Sequence, residues 1–459
     1  MEVPPPIVTK APSSRNWTEG SVIRNLLALS WPMVLSNTLN IVGPTIDMIW
    51  VGKLGAASVA GVGVAGIAVQ LVIATLVGLF IGLRALVARF VGAGDEKGAS
   101  YAARQAFIIS AVISIILATI GIFLAEEILG AMGLEPDAIT EGAAYMRIMF
   151  ASTVVISFRL VTESIMQASG DAMTPLKLIF MVRAFHALLC PFFIFGWWTF
   201  PEMGVSGAAI SNIISQSIGL AFGFWILLSG RSRLKLSLRN FSLDLNIIWR
   251  MVRIGIPASI MAMQSNFGHL ALMRFMAPFG TVAVAAHTIA QRVDMMLFMP
   301  AMGLGVAAGV LVGQNLGARQ PARAEKSGWL AVGMGEIYTI AFAIVISIWP
   351  EHIVHIFNSE AALVETASSF LRIAAVSYLF AAFIPVLMQA TTSAGDTIPP
   401  MLFSIVLVWM VQVPMAFLLS QVIGSNAQGV RWAMVTGTAF GAIAFTTYFK
   451  MGRWKRKRI

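Results

Sequence analysis

Apolar runs of roughly twenty residues or more follow one another along this chain with only short polar breaks, and each can cross about 30 Å of hydrocarbon as a helix. They place approximate spans at 24–51, 58–88, 101–125, 142–168, 175–198 and 205–229. A second set lies at 250–276, 283–313, 327–349, 366–392, 400–423 and 429–449. Several exceed the minimum length, which implies tilt, kinks or ends that project into water. Only 11% of the 459 residues are charged, where a soluble domain carries about 25%. A chain this size has too little polar surface to cover a core in water, so most of its surface must face lipid. The expectation is an all-α integral membrane protein with twelve transmembrane helices.

Charge placement orients the spans. With the N-terminus inside, the lysines and arginines of alternate loops fall almost entirely on the cytoplasmic side, and only Lys53 and Arg431 fall outside. Both termini are expected in the cytoplasm, with the chain in the plasma or inner membrane. The opposite face carries Glu126, Glu127, Glu135, Asp137, Glu351 and Glu360. The first residues, with Pro4, Pro5, Pro6, Lys10 and Arg15, lack an apolar core followed by a small-residue cleavage site, so the first run reads as a permanent span. The formal charge of +10 sits in short loops rather than on a soluble basic face. It therefore suits topogenesis and anionic membrane lipids, not nucleic acid. Cys190 is the only cysteine, which excludes an intrachain disulfide and leaves no thiol-rich metal motif, so no metal site is expected.

The halves repeat at a constant offset of 225 residues. Pro32 meets Pro257, Gly55 meets Gly280, Gly78 meets Gly303, and Gly92-Ala93 meets Gly317-Ala318. Gly170-Asp171 likewise meets Gly395-Asp396, Pro175 meets Pro400, and Gly204-Val205 meets Gly429-Val430. An offset spanning six helices makes the two copies enter the membrane the same way round. Their relating axis then lies along the membrane normal, with two lobes facing one another across a central cavity. The expected units are a tail at 1–20, a first lobe at 21–230, a basic linker at 231–248, a second lobe at 249–450 and a basic tail at 451–459. Pro32 and Pro257 are hinge candidates, since proline frees a carbonyl and kinks a helix; a packing role is the competing account. The paired Gly-Asp dipeptides read as tight cytoplasmic turns.

Ionisable residues inside spans cost about 2.5 to 3.5 kcal/mol at a helix centre and so mark functional candidates. Asp47 is the only acid of the first span, and Asn37, Asn40, Pro44 and Asp47 form one polar stripe. Asp47 is either a titrating or cation-binding group or a structural carboxylate. In the fifth span Arg183, His186 and Cys190 share a face; His186 either shares a proton with an acid such as Asp47 or is a satisfied structural imidazole. Arg159, Glu163 and Gln167 follow four-residue spacing, and Arg159 with Glu163 reads most simply as an ion pair. The second lobe has Leu272 at the Asp47 position. Its polar positions are Gln264, His269, His287, Gln291 and Asp294, with Arg292 placed to neutralise Asp294. No catalytic carboxylate pair, nucleophile elbow, HExxH helix or phosphate loop is present, so no enzyme activity or cofactor is expected.

Asp47 to Gly55, reading DMIWVGKLG, together with Gly92-Ala93-Gly94-Asp95, resembles the start of a multidrug and toxic compound extrusion (MATE) transporter. Pro300 to Ala318, PAMGLGVAAGVLVGQNLGA, is similar to the family segment ending in VGQNLGA. Met166 to Pro175 and Met388 to Pro400 match in the same way. The resemblance covers nearly the whole chain after residue 20 and is nearest the prokaryotic DinF-like branch. It implies two six-helix lobes that alternate between inward- and outward-facing states, working as a monomer. The implied activity is exchange of protons, or sodium ions, for small cationic amphipathic compounds. Asp47 matches the first-helix aspartate to which coupling is assigned. Where the DinF-like branch has N-x-x-x-D-P, this chain reads His186-Ala-Leu-Leu-Cys190-Pro191. An alternative is a flippase for lipid-linked precursors, which needs a strongly cationic cavity; Arg159, Arg183, Arg274, Arg292 and Arg372 are its candidates.

Overall fold

A backbone in hydrocarbon must satisfy its own N–H and C=O groups, and a helix does so within one segment. The computed structural model describes residues 16–133, 135–237, 242–457 and 459, and among these it contains helices and turns with no strand. The N-terminal tail through Arg15, and Arg239 and Arg458 among the basic residues, lie outside the described residues. The first half runs α1 (Val22–Val51), α2 (Ala56–Gly92), α3 (Glu96–Phe123), α4 (Ala125–Ala131), α5 (Pro136–Ala151), α6 (Thr153–Ser169), α7 (Met173–Phe195) and α8 (Gly204–Ser229). The second runs α9 (Leu245–Met276), α10 (Thr281–Gly317), α11 (Pro321–Ile348), α12 (Pro350–His355), α13 (Ala361–Tyr378) and α14 (Phe383–Ser393). It closes with the penultimate span Ile398–Val422 and the last helix Asn426–Met451.

Nine of these helices are long and apolar enough to cross a membrane singly, and two bent pairs, α5 with α6 and α13 with α14, each do so together. The last helix completes twelve; glycines, threonines and a buried arginine lower its apolarity because much of it faces protein. Two spans expected to be continuous are therefore broken, each by 47°. The second break has an identifiable support. Glu336 of α11, nearly buried, accepts the Ala382 N–H at 3.0 Å and the Thr339 hydroxyl at 3.2 Å, capping the start of α14 inside the protein. The repeat holds down to short elements that the sequence did not mark: α4 begins at Ala125 and α12 at Pro350. Gly170 and Gly395 both adopt left-handed φ, +88° and +87°, so their Gly-Asp dipeptides are tight turns, as expected.

The lobes join at the basic end. A Cβ at Gly78 would strike Ser259 and one at Gly303 would strike Val34; one at Gly92 would strike Gln314 and one at Gly317 would strike Arg89. Each pair is its own image under the 225-residue shift, so the two lobes present the same patch to each other about a twofold axis. Glycine is required here because backbone meets backbone. Hydrogen bonds cross at the same end: Ser259 Oγ donates to Thr75 O at 2.7 Å, Gln314 Nε2 to Ala168 O at 2.8 Å, and Arg89 Nη2 to Ala394 O at 3.2 Å. Hydrophobic clusters that mix the lobes also lie there, whereas each of the two clusters at the acidic end draws on one lobe alone. Pro32 and Pro257 are both buried and precede Val34 and Ser259 by two residues.

Gly92→Leu should therefore hold the basic ends apart. Spin labels on the basic ends of α2 and α10 should report a longer distance than in the parent protein, and an unchanged distance distribution would refute the close-contact account.

Candidate functional site

Pro44 sits inside α1 and has no N–H, which leaves the Asn40 carbonyl without its helical donor. The structure fills that gap from α7. Arg183 donates from Nη2 to Asn40 O at 3.3 Å and from Nε to Leu39 O at 3.1 Å. The neighbouring Gly43 makes room, since a Cβ there would overlap the Arg183 guanidinium. The Gly-Pro notch thus fixes how α7 lies along α1, and the next turn of each helix carries the remaining polar groups.

There Asp47, 3% exposed, meets three side chains. His186 Nε2 lies 3.0 Å from Asp47 Oδ1, at ion-pairing distance but bent away from a linear hydrogen bond. The Tyr145 hydroxyl, from α5, donates to Asp47 Oδ2 at 3.2 Å, and Cys190 Sγ is 4.0 Å from Oδ1. His186 and Cys190 are fully buried. The i, i+3, i+7 face on α7 thus meets α1 as two neighbouring contacts, the arginine on the freed Asn40 carbonyl and on Leu39 O, and the histidine and cysteine on Asp47. A carboxylate buried among an imidazole, a phenol and a thiol can take up a proton or a cation, because each neighbour can donate to it or share its charge.

Other candidates fall elsewhere. Asn37 and Asn40 donate their side-chain amides to Met33 O and Ser36 O of their own helix, so the expected inward stripe narrows to Asp47. Glu163 is nearly buried and paired with Arg159, as the spacing predicted, and Gln167 is partly buried beyond it. In the second lobe the partner of Asp294 is not Arg292, which is exposed, but Arg431 at 3.1 Å, with the Tyr378 hydroxyl donating at 2.5 Å. Arg431 is 2% exposed inside the last helix and is not an external loop cation. A buried carboxylate needs a buried counter-charge, and this requirement overrides the topogenic reading. His287 is fully buried with no hydrogen bond on either ring nitrogen, Gln264 and Gln291 are partly buried, and His269 is exposed. His269 nevertheless lies close enough to feel the charges of Asp294 and Arg431, and His287 those of Arg431 and His269.

Tyr145, Tyr378, Glu336 and Arg431 were missed as partners. Glu336 was detectable as an isolated acid in an apolar span. The tyrosines carry no local signal, since their roles depend on which helix packs opposite. The arginines proposed for a cationic cavity are dispersed: Arg159 is paired, Arg183 is bound to carbonyls, Arg274 and Arg292 are exposed, and Arg372 pairs with Glu351 at 2.5 Å on the surface.

The family model described as MatE matches residues 32–192 and 257–418, one match in each half. The chain is 26% identical over 451 residues to a Bacillus subtilis protein described as "Probable multidrug resistance protein YpnP", covering 97% of this chain and 98% of that one. It is 23% identical to the Thermotoga maritima "Probable multidrug resistance protein NorM", covering 95% and 94%. Its fold is similar to a solved structure described as "Crystal structure of MATE in the bent conformation", with TM-score 0.89, 23% identity and coverage of 95% and 96%. A second, described as an outward-facing multidrug resistance MATE family transporter of the MOP superfamily, gives TM-score 0.88 at 23% identity, covering 95% and 96%.

Proposed function

Because the chain belongs to the MatE family and is a multi-pass membrane protein built like its transporters, we propose that it exports small cationic amphipathic compounds in exchange for protons. The observation that carries this reading is Asp47, a buried carboxylate ringed by His186, Tyr145 and Cys190 on the side where the lobes part. In the proposed cycle ionised Asp47 favours a cation in the cleft, and a proton arriving from the acidic face replaces it. The lobes, taken as 21–230 and 249–450, then separate along the glycine interface and close at the opposite end. The basic end and both termini face the cytoplasm across the plasma or inner membrane, and one chain suffices. Only binding and exchange are asked of the residues, so no cofactor or enzymatic step enters. The flippase reading loses support because the interior arginines are already engaged or lie on the surface.

Exchange of one monovalent cation for one proton moves no net charge. A membrane potential then adds nothing, while each pH unit supplies about 1.4 kcal/mol, roughly tenfold accumulation. Ethidium efflux from proteoliposomes tests this under an imposed pH gradient, sodium gradient or potential. Efflux should follow the pH gradient alone. Efflux under sodium alone would change the coupling ion, strong dependence on potential would exclude one-for-one exchange, and no gradient-dependent efflux would exclude the exporter.

A further inference from the structure

The Asp47 cluster has donors that proton exchange does not require. A carboxylate oxygen, an imidazole nitrogen and a thiol sulfur, from Asp47, His186 and Cys190, lie within 4.8 Å of one another, all on buried residues. His186 and Cys190 are one helical turn apart on the same face of α7, a spacing that lets two side chains reach one ion. The imidazole also has bonding capacity to spare: His186 is fully buried, Nδ1 makes no hydrogen bond, and Nε2 meets Asp47 Oδ1 at 3.0 Å without hydrogen-bond geometry. Buried polar atoms are rarely left so.

Tetrahedral zinc, with bonds of about 2.0 Å to nitrogen and oxygen and 2.3 Å to sulfur, holds its ligand atoms about 3.3 to 3.5 Å apart. The present separations of 3.0 Å between Asp47 and His186 and 4.0 Å between Asp47 and Cys190 bracket that value. All three ligand atoms lie within 4.8 Å of one another, so side-chain adjustment would close the set, and the Tyr145 hydroxyl already lies beside Asp47. Charge agrees with geometry. One carboxylate, one thiolate and one neutral imidazole balance a divalent ion to zero, the arrangement a low-dielectric interior tolerates best. Thiolate and imidazole also favour borderline-soft ions over alkali cations, which prefer oxygen.

We propose that Asp47, His186 and Cys190 form a binding site for a soft divalent metal ion, zinc by its chemistry, which competes with the proton at this position. Binding exchanges the Cys190 S–H bond for an S–Zn bond and releases that proton to solvent, while Asp47 and neutral His186 donate lone pairs. The effect on transport rests on the exchange reading above; the binding stands on the ligand geometry alone.

The test uses the full chain purified without a polyhistidine tag, with Co²⁺ as spectroscopic probe and Zn²⁺ titrated against a chelator. One Co²⁺ per chain should bind with a near-ultraviolet thiolate-to-cobalt band. Cys190→Ser should abolish that band, and Cys190→Ser or His186→Gln should weaken Zn²⁺ at least tenfold. Cys190→His should restore Zn²⁺ binding without the band, which separates ligation from misfolding. His352→Ala with His355→Ala, both exposed on α12, should change nothing. Absence of binding, binding insensitive to Cys190 and His186, or binding lost with His352 and His355 would each overturn the proposal. The two readings fail separately. Zinc binding in a chain without pH-driven efflux would sink the exchange and leave the metal site, and pH-driven efflux without zinc binding would do the reverse.

Discussion

Asp47→Asn should reduce pH-driven ethidium efflux to the level of protein-free vesicles while the chain still folds and inserts. The amide has the size of the carboxylate and can still accept from Tyr145, so packing between α1, α5 and α7 is preserved. What it lacks is a second protonation state and a charge that a cation can replace. Glu163 is paired with Arg159 and Asp294 with Arg431, so neither is free to take over. The loss should therefore be close to complete rather than graded. Binding should show the same defect: the wild type releases a bound drug cation on acidification, and the variant binds it weakly with no pH response. Unchanged efflux from a well-expressed Asp47→Asn protein would remove Asp47 from the mechanism.

The second large effect concerns stability. Arg431→Met leaves Asp294 buried with only the Tyr378 hydroxyl, and Asp294→Leu leaves Arg431 without its counter-charge. Removing one member of a buried pair costs about 3 to 5 kcal/mol, whereas exchanging both for apolar groups of similar volume is often neutral. Each single variant should lower the unfolding midpoint in detergent, and Asp294→Leu with Arg431→Met should recover most of the loss. Additive losses in the double variant would show that the pair is not the source. Efflux by the double variant should track its folded fraction, because coupling is assigned to the other lobe.

What the sequence made legible followed from covalent spacing. Span length marked the helical membrane fold, and the 225-residue offset marked which residues of the two halves correspond; both are local or periodic signals. The face shared by Arg183, His186 and Cys190 was readable from helical period. That this face meets Asp47, and that the Pro44 notch seats Arg183, required the packing of α1 on α7. The breaks within α5–α6 and α13–α14 were not readable, since the second depends on Glu336 from a separate helix. Arg431 misled because a cation near a span end follows topogenic rules unless a distant carboxylate buries it. Asn37 and Asn40 show the converse: a helical amide can donate to its own backbone, and of the two Asn37 is partly buried and Asn40 exposed.

The mirrored glycine contacts give this chain the anatomy of a homodimer joined into one polypeptide. Gly78 on Ser259 and Gly303 on Val34 are one contact made twice, as across the seam of two identical subunits. A seam of that kind asks only for matched backbones and leaves the side chains farther out free to diverge between the halves. One half keeps an acid at the Asp47 position and the other has leucine, Leu272. Covalent fusion is what permits this, since two copies of a single six-helix product could never carry different residues at the same place.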